Sequence, residues 1–100
     1  SDKYLLEILS VGGNPIDNIL PLSNLLLLKE LNIENTPVSD LNPMSSLKNI
    51  KTLNIGGTSV NNLRPLEGLD ALEDLSIVNT DVKSIKLIKE KLPDLNVIYY

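Results

Sequence analysis

The chain has no cysteine, no histidine, no tryptophan and no phenylalanine. Without cysteine there is no disulfide framework and no thiolate metal site, and the compartment is left open. Without histidine or cysteine the usual nucleophile–base pairs and zinc ligands are missing. Aromatics make up 3% of the 100 residues, all of them tyrosine, so any core must be built from aliphatic side chains. No run of about 18 apolar residues occurs, so no segment reads as a membrane-spanning helix. Positive charge is scarce as well, with 9 Lys plus Arg against 13 Asp plus Glu and a net charge of -4. No basic stripe is available to neutralise a phosphate backbone, which argues against a nucleic-acid reader. The opening Ser1-Asp2-Lys3-Tyr4 lacks the charged and apolar regions of a signal peptide. The absence of any Asn-x-Ser/Thr site fits a bacterial or intracellular protein better than a eukaryotic secreted one.

What the sequence does have is a repeat. Leu28-Lys29-Glu30-Leu31-Asn32-Ile33-Glu34-Asn35-Thr36 returns as Ile50-Lys51-Thr52-Leu53-Asn54-Ile55-Gly56-Gly57-Thr58 and as Leu72-Glu73-Asp74-Leu75-Ser76-Ile77-Val78-Asn79-Thr80. An earlier copy opens at Leu6, and a partial one opens at Leu95. The starts 6, 28, 50, 72 and 95 step by 22, 22, 22 and 23. A constant period of this size marks a solenoid, here a single repeat domain over residues 1–100.

Counting the opening Leu or Ile as place one, places one, four and six are apolar in each full copy. So are places eleven, fourteen, seventeen and twenty, once a one-residue insertion before Leu92 is allowed. Apolar residues are 42% of the chain, so this regularity defines the core rather than reflecting composition. Places four and six alternate, which reads as a short strand over places three to seven. Successive strands run in the same direction and form a parallel sheet with one-handed crossovers. The following pairs Gly12-Gly13, Asn35-Thr36, Gly56-Gly57 and Asn79-Thr80 suit a turn with unusual backbone angles. Asn14, Thr36, Thr58 and Thr80 at place nine are expected to satisfy backbone groups in neighbouring coils. Pro21, Pro43 and Pro65 fit the start of one short helical turn per repeat. The last return has no such proline. Ile85, Ile88 and Leu92 fall there at helical spacing, which predicts the longest helix, ending before Pro93, with Lys86, Lys89, Glu90 and Lys91 in water.

The pattern Leu-x-x-Leu-x-Ile-x-x-Thr-x-Val-x-x-Leu-x-Pro-Leu-x-x-Leu closely resembles the leucine-rich repeats of bacterial internalins and of the eukaryotic phosphatase-regulating class. Leu28 to Asn49 and Ile50 to Ala71 follow it nearly place by place. The resemblance implies an α/β right-handed solenoid. Its concave parallel sheet of about five short strands would bind other proteins, and loops and short helical turns would form its convex side. It implies a bacterial surface or secreted protein on the internalin side, and an intracellular one on the phosphatase-regulator side. Internalins carry a helical cap before the first repeat, and the five residues before Leu6 are too few for one. The uncapped first coil is therefore expected to be covered by upstream sequence or by self-association. Tyr99-Tyr100 and the final helix read as a partial cap at the other end.

Places three, five and seven point out from the sheet. They give a candidate partner-binding set of Ile8, Ser10, Glu30, Asn32, Glu34, Thr52, Asn54, Asp74, Ser76 and Val78, with Val97 and Tyr99 from the last copy. Glu30, Glu34 and Asp74 make the face mildly acidic, which suits a protein partner of basic character. Five such strands cover only about 400 Å² at the usual spacing and rise, below the roughly 800 Å² per side of a standard interface. Loops must join in, binding must be weak, or the chain belongs to a longer solenoid. No cofactor or metal is expected. Gly12-Gly13 and Gly56-Gly57 are not followed by Gly-Lys-Ser/Thr, and Asp17 and Asp40 lie in no calcium-binding pattern. Glu30 and Asp74, roughly 10 Å apart on strands two places removed, approach the spacing of an inverting glycosidase pair. A face with no cleft and no sugar-stacking aromatic leaves that as a remote third reading. The main reading is a non-catalytic protein-interaction module, and the runner-up is a structural spacer or solenoid segment without its own partner.

Overall fold

Each step of twenty-two residues brings the chain back beside itself in a computed structural model, which describes residues 5–99. Five strands, β1 (Ile8–Ser10), β2 (Glu30–Asn32), β3 (Thr52–Asn54), β4 (Asp74–Ser76) and β5 (Asn96–Ile98), pair in sequence order. Every pairing is parallel, with Leu9, Leu31, Leu53, Leu75 and Val97 in one register row. The strands are shorter than the predicted span, at three residues each. The ladder nevertheless runs on through the turn, where the Val11, Ile33 and Ile55 N–H groups donate to Asn32, Asn54 and Ser76, and the Gly13, Asn35 and Gly57 N–H groups to Glu34, Gly56 and Val78. Place eight then turns left-handed in every full coil, with φ of 77° at Gly13, 56° at Asn35, 69° at Gly57 and 59° at Asn79. Gly and Asn are the residues that reach this region at least cost, which is why they alternate there.

The repeating apolar places meet inside. Leu28, Leu31, Ile33, Val38, Leu41, Met44 and Leu47 from one coil are buried, as are Ile50, Leu53, Ile55, Val60, Leu63, Leu66 and Leu69 from the next. The first coil is less enclosed: Leu9, Val11, Leu22 and Leu25 are only half-buried, and Leu6 stays 39% exposed. It also carries Leu5, Ile8, Leu20, Leu26 and Leu27 in the open.

The prolines open the return turns as expected. Short 3-10 segments run over Leu20–Leu22, Asn42–Ser46 and Arg64–Leu66, each with proline in its first two residues. A second column, not anticipated, sits two residues ahead of each segment's first residue. The side-chain oxygens of Asn18, Asp40 and Asn62 accept the N–H two residues on, at 2.9, 2.9 and 3.0 Å, and Ser84 does the same for Lys86 at 3.1 Å. These are the short polar residues that cap helix starts. In the fourth return the segment widens into α1 (Lys86–Lys91), with Ile88 and the following Leu92 buried. Lys89, expected in water, is half-buried, because its Nζ reaches back to the carbonyls of Pro93 and Leu95 at 3.1 and 2.6 Å. Those carbonyls lie just past the helix end, where a cation is favoured.

Two further expectations are corrected. The place-nine side chains bond within their own coil, not to neighbours. The Thr36, Thr58 and Thr80 hydroxyls donate to the carbonyls of Ile33, Ile55 and Ile77 at 2.7, 2.7 and 2.8 Å, and the Asn14 amide to Val11 at 2.9 Å. Each closes the turn it belongs to. The last copy is also out of step. Leu95 is buried like the earlier place-one residues, yet β5 pairs one residue sooner than a start at 95 dictates, with Asp74 opposite Asn96 and Ser76 opposite Ile98. The residue gained in the return is given back before the strand. Val97 therefore packs against the core, and Asn96 and Ile98 take the outward places. The expected role of Tyr100 in a terminal cap lies outside the described residues.

Candidate partner-binding face

The outward side chains form rows because the strands are in register. One row is Ile8, Glu30, Thr52, Asp74 and Asn96; the next is Ser10, Asn32, Asn54, Ser76 and Ile98. A third, just past the strands, holds Gly12, Glu34, Gly56 and Val78. Of the expected face residues the structure brings together Ile8, Ser10, Glu30, Asn32, Glu34, Thr52, Asn54, Asp74, Ser76 and Val78. Val97 points the other way. Tyr99 lies past β5 and borders a separate depression of about 440 Å³ with Ile77, Thr80, Val82 and Ile85. Asn96 and Ile98 belong to the face and were missed. The signal available was the spacing Leu95-x-Val97, one residue tighter than Leu72-x-x-Leu75.

Five polar members of the face, Asn32, Glu34, Asn54, Asp74 and Asn96, are tied to a neighbour on it. Asn32 turns its Oδ1 to accept the Glu34 N–H at 2.9 Å, and Asn54 does the same for the Gly56 N–H at 2.9 Å. With the oxygens so engaged, both amide nitrogens point at one carboxylate. Asn32 Nδ2 donates to Glu34 Oε1 and Asn54 Nδ2 to Glu34 Oε2, each at 3.2 Å. Farther along, Asn96 Nδ2 donates to Asp74 Oδ1 at 3.1 Å. At the rim Lys29 pairs with Glu7 at 3.2 Å, with both side chains about half exposed. Such an exposed pair contributes little to stability. The three carboxylates of the face thus differ. Glu34 is held from two strands, Asp74 from one, and Glu30 shows no ion-pair partner among the described residues.

The face holds a depression of about 340 Å³ lined by Leu9 and Leu31 together with Ile8, Ser10, Glu30 and Thr52. Among the described residues no group of three or more acidic, His or Cys side chains is placed to hold a metal ion. Among them, too, no helix is long and apolar enough to cross a membrane.

Stacked parallel strands, an aliphatic interior and short 3-10 returns on a constant period define a leucine-rich repeat protein. The chain is internalin-like in its repeat. It is similar to internalin C2 of Listeria monocytogenes, with 26% identity and a TM-score of 0.88 over 94% of this chain and 41% of that one. A second Listeria monocytogenes internalin matches at 27% identity and a TM-score of 0.85, covering 95% of this chain and 28% of its own. A leucine-rich repeat protein of Leptospira interrogans, 22% identical with a TM-score of 0.82 over 92% of this chain and 25% of that one, shares the fold. The chain spans less than half the length of each of these structures. No protein-family model matches the sequence, and no curated protein matches it. Leucine-rich repeat domains of this kind are, in general, protein-interaction modules and are typically non-catalytic.

Proposed function

We propose that this chain binds another protein through the concave face of its sheet, as one repeat domain over residues 1–100, and that the partner is basic where it touches Glu30, Glu34 and Asp74. The observation that carries this reading is the Asn32–Glu34–Asn54 network, which fixes polar groups on the water side of two adjacent coils. A plain solvated surface does not need side chains held in one orientation, whereas recognition gains affinity from groups ordered beforehand. The face covers only about 400 Å², so residues at its edges share in the contact, or the concave sheet continues in neighbouring coils. Self-association through the open first coil is part of the same reading, since Leu5, Leu6 and Ile8 are exposed beside an edge strand.

The test is site-specific photocrosslinking. A photoreactive residue at Thr52, in the middle of the face, should capture a protein partner that the same residue at Ser45, on the convex return, does not. Equal capture at the two places, or none at Thr52, would remove the concave face from the reading. The small area favours a second reading, a spacer within a longer solenoid, and that reading predicts no capture at either place.

A further inference from the structure

Within the concave-face reading, on which this inference rests, we propose that Glu34 is the seat for an arginine side chain of the partner. A carboxylate offers roughly four lone-pair directions, two on each oxygen. In Glu34 one direction on each oxygen is taken, Oε1 by Asn32 and Oε2 by Asn54. Each oxygen keeps capacity for a further donor, so the carboxylate can still take both parallel donors of a guanidinium, which a point-like ammonium can use only in part.

The neighbours leave room for such a group. The row that contains Glu34 carries Gly12 on the coil before and Gly56 on the coil after, so the neighbouring places in its own row put no side chain beside the carboxylate, and its flanking partners are Asn32 and Asn54. Neither glycine has the left-handed φ that would explain it, since the left-handed residues are Gly13 and Gly57 one place later. The same place holds Glu and Val in the other coils. A Cβ at Gly12 would come within 3.1 Å of both Glu34 Cγ and the Glu34 carbonyl, and one at Gly56 within 3.0 Å of the Val78 carbonyl and 3.2 Å of Asn54 Oδ1. The next coil's backbone is thus one reason for glycine at both places, and the missing side chains also leave the ground beside Glu34 open to a ligand. Among the described residues no Lys or Arg forms an ion pair with Glu34, and the rim Lys29 is paired with Glu7.

The probe is a blocked tripeptide Gly-Arg-Gly, titrated into the isotope-labelled chain and followed by two-dimensional NMR. Its lysine and citrulline counterparts serve as comparisons. The arginine peptide should move the side-chain amide signals of Asn32 and Asn54 and the backbone signals of Gly12 and Gly56. The lysine peptide should bind about fivefold or more weakly and the citrulline peptide not measurably. Glu34→Gln should abolish the response. Equal response to lysine, or a response that survives Glu34→Gln and is lost in Glu30→Gln, would overturn the seat. Shifts at Asp74 and Ser76 without Asn32 and Asn54 would overturn the seat and leave the concave-face reading standing. Shifts confined to convex residues such as Lys86 would overturn both.

Discussion

Asn54 on β3 and Glu34 beside β2 are joined across the solvent face of the sheet, Nδ2 to Oε2 at 3.2 Å. The same asparagine holds the Gly56 N–H on its oxygen at 2.9 Å, so one side chain closes a turn and links two coils. Asn54→Ala removes both bonds and leaves a part-buried N–H without its acceptor. The expected cost is about 1–2 kcal/mol of unfolding free energy, read as a lower urea midpoint with an unchanged slope. Asn54→Ser, with an oxygen but no amide donor, should recover part of the loss. A midpoint equal to wild type in the alanine variant would show the network to be ornamental.

The threonine column answers to a different measurement. Thr36 and Thr58 are buried, and each hydroxyl donates to a carbonyl three residues back at 2.7 Å. Thr58→Val keeps the shape, leaves the Ile55 carbonyl only the long bond from the Thr58 N–H at 3.3 Å, and takes the acceptor from the Val60 N–H. About 1–3 kcal/mol should be lost. Thr80→Val should cost less, since Thr80 is only half-buried and water can replace the hydroxyl. If the two variants lose the same amount, burial is not what sets the value of the bond.

Gly57 tests the turn. Its φ is +69°, and a Cβ there would run into the Asn35 side chain of the preceding coil. Gly57→Ala pays for the left-handed conformation and for that collision together, so a loss of more than about 1 kcal/mol is expected. Asn79→Gly, at the same place one coil on with φ of 59°, should change stability by less than about 1 kcal/mol. Thermal unfolding of the two variants side by side distinguishes a geometric requirement from a general sensitivity of the turns.

The fold was legible because a solenoid repeats its own evidence. Leu31, Leu53 and Leu75 occupy one place in three coils, and all three are buried in one register row. Features that depend on a side chain's partner were harder to read. A threonine in a turn can serve its own coil or the next one, and the period is identical in both cases. Lys89 shows the same limit, since helical spacing sets it on the outer surface but does not show the chain curling back to offer the Pro93 and Leu95 carbonyls. The Glu34 network was invisible for a related reason. The row assignment put Asn32, Glu34 and Asn54 on one face, and only the asparagine oxygens turning to the backbone set both amides on one carboxylate.

The register of β5 departs from the count of places, and a pair of substitutions tests it directly. Counting from Leu95 puts Val97 and Tyr99 on the binding face, whereas the pairing puts Val97 opposite Leu75 and Ile98 opposite Ser76. Because side chains alternate, a shift of one residue exchanges the two faces completely. Val97→Asp then places a carboxylate against the core, a change expected to cost about 2 kcal/mol or more. Ile98→Asp puts the same carboxylate at a place already 38% exposed and should alter stability by less than about 1 kcal/mol. The two substitutions differ in position by one residue and in chemistry hardly at all, so composition and net charge cancel between them. Denaturant unfolding that ranks Ile98→Asp as the more damaging would restore the count from Leu95 and return Val97 to the partner face.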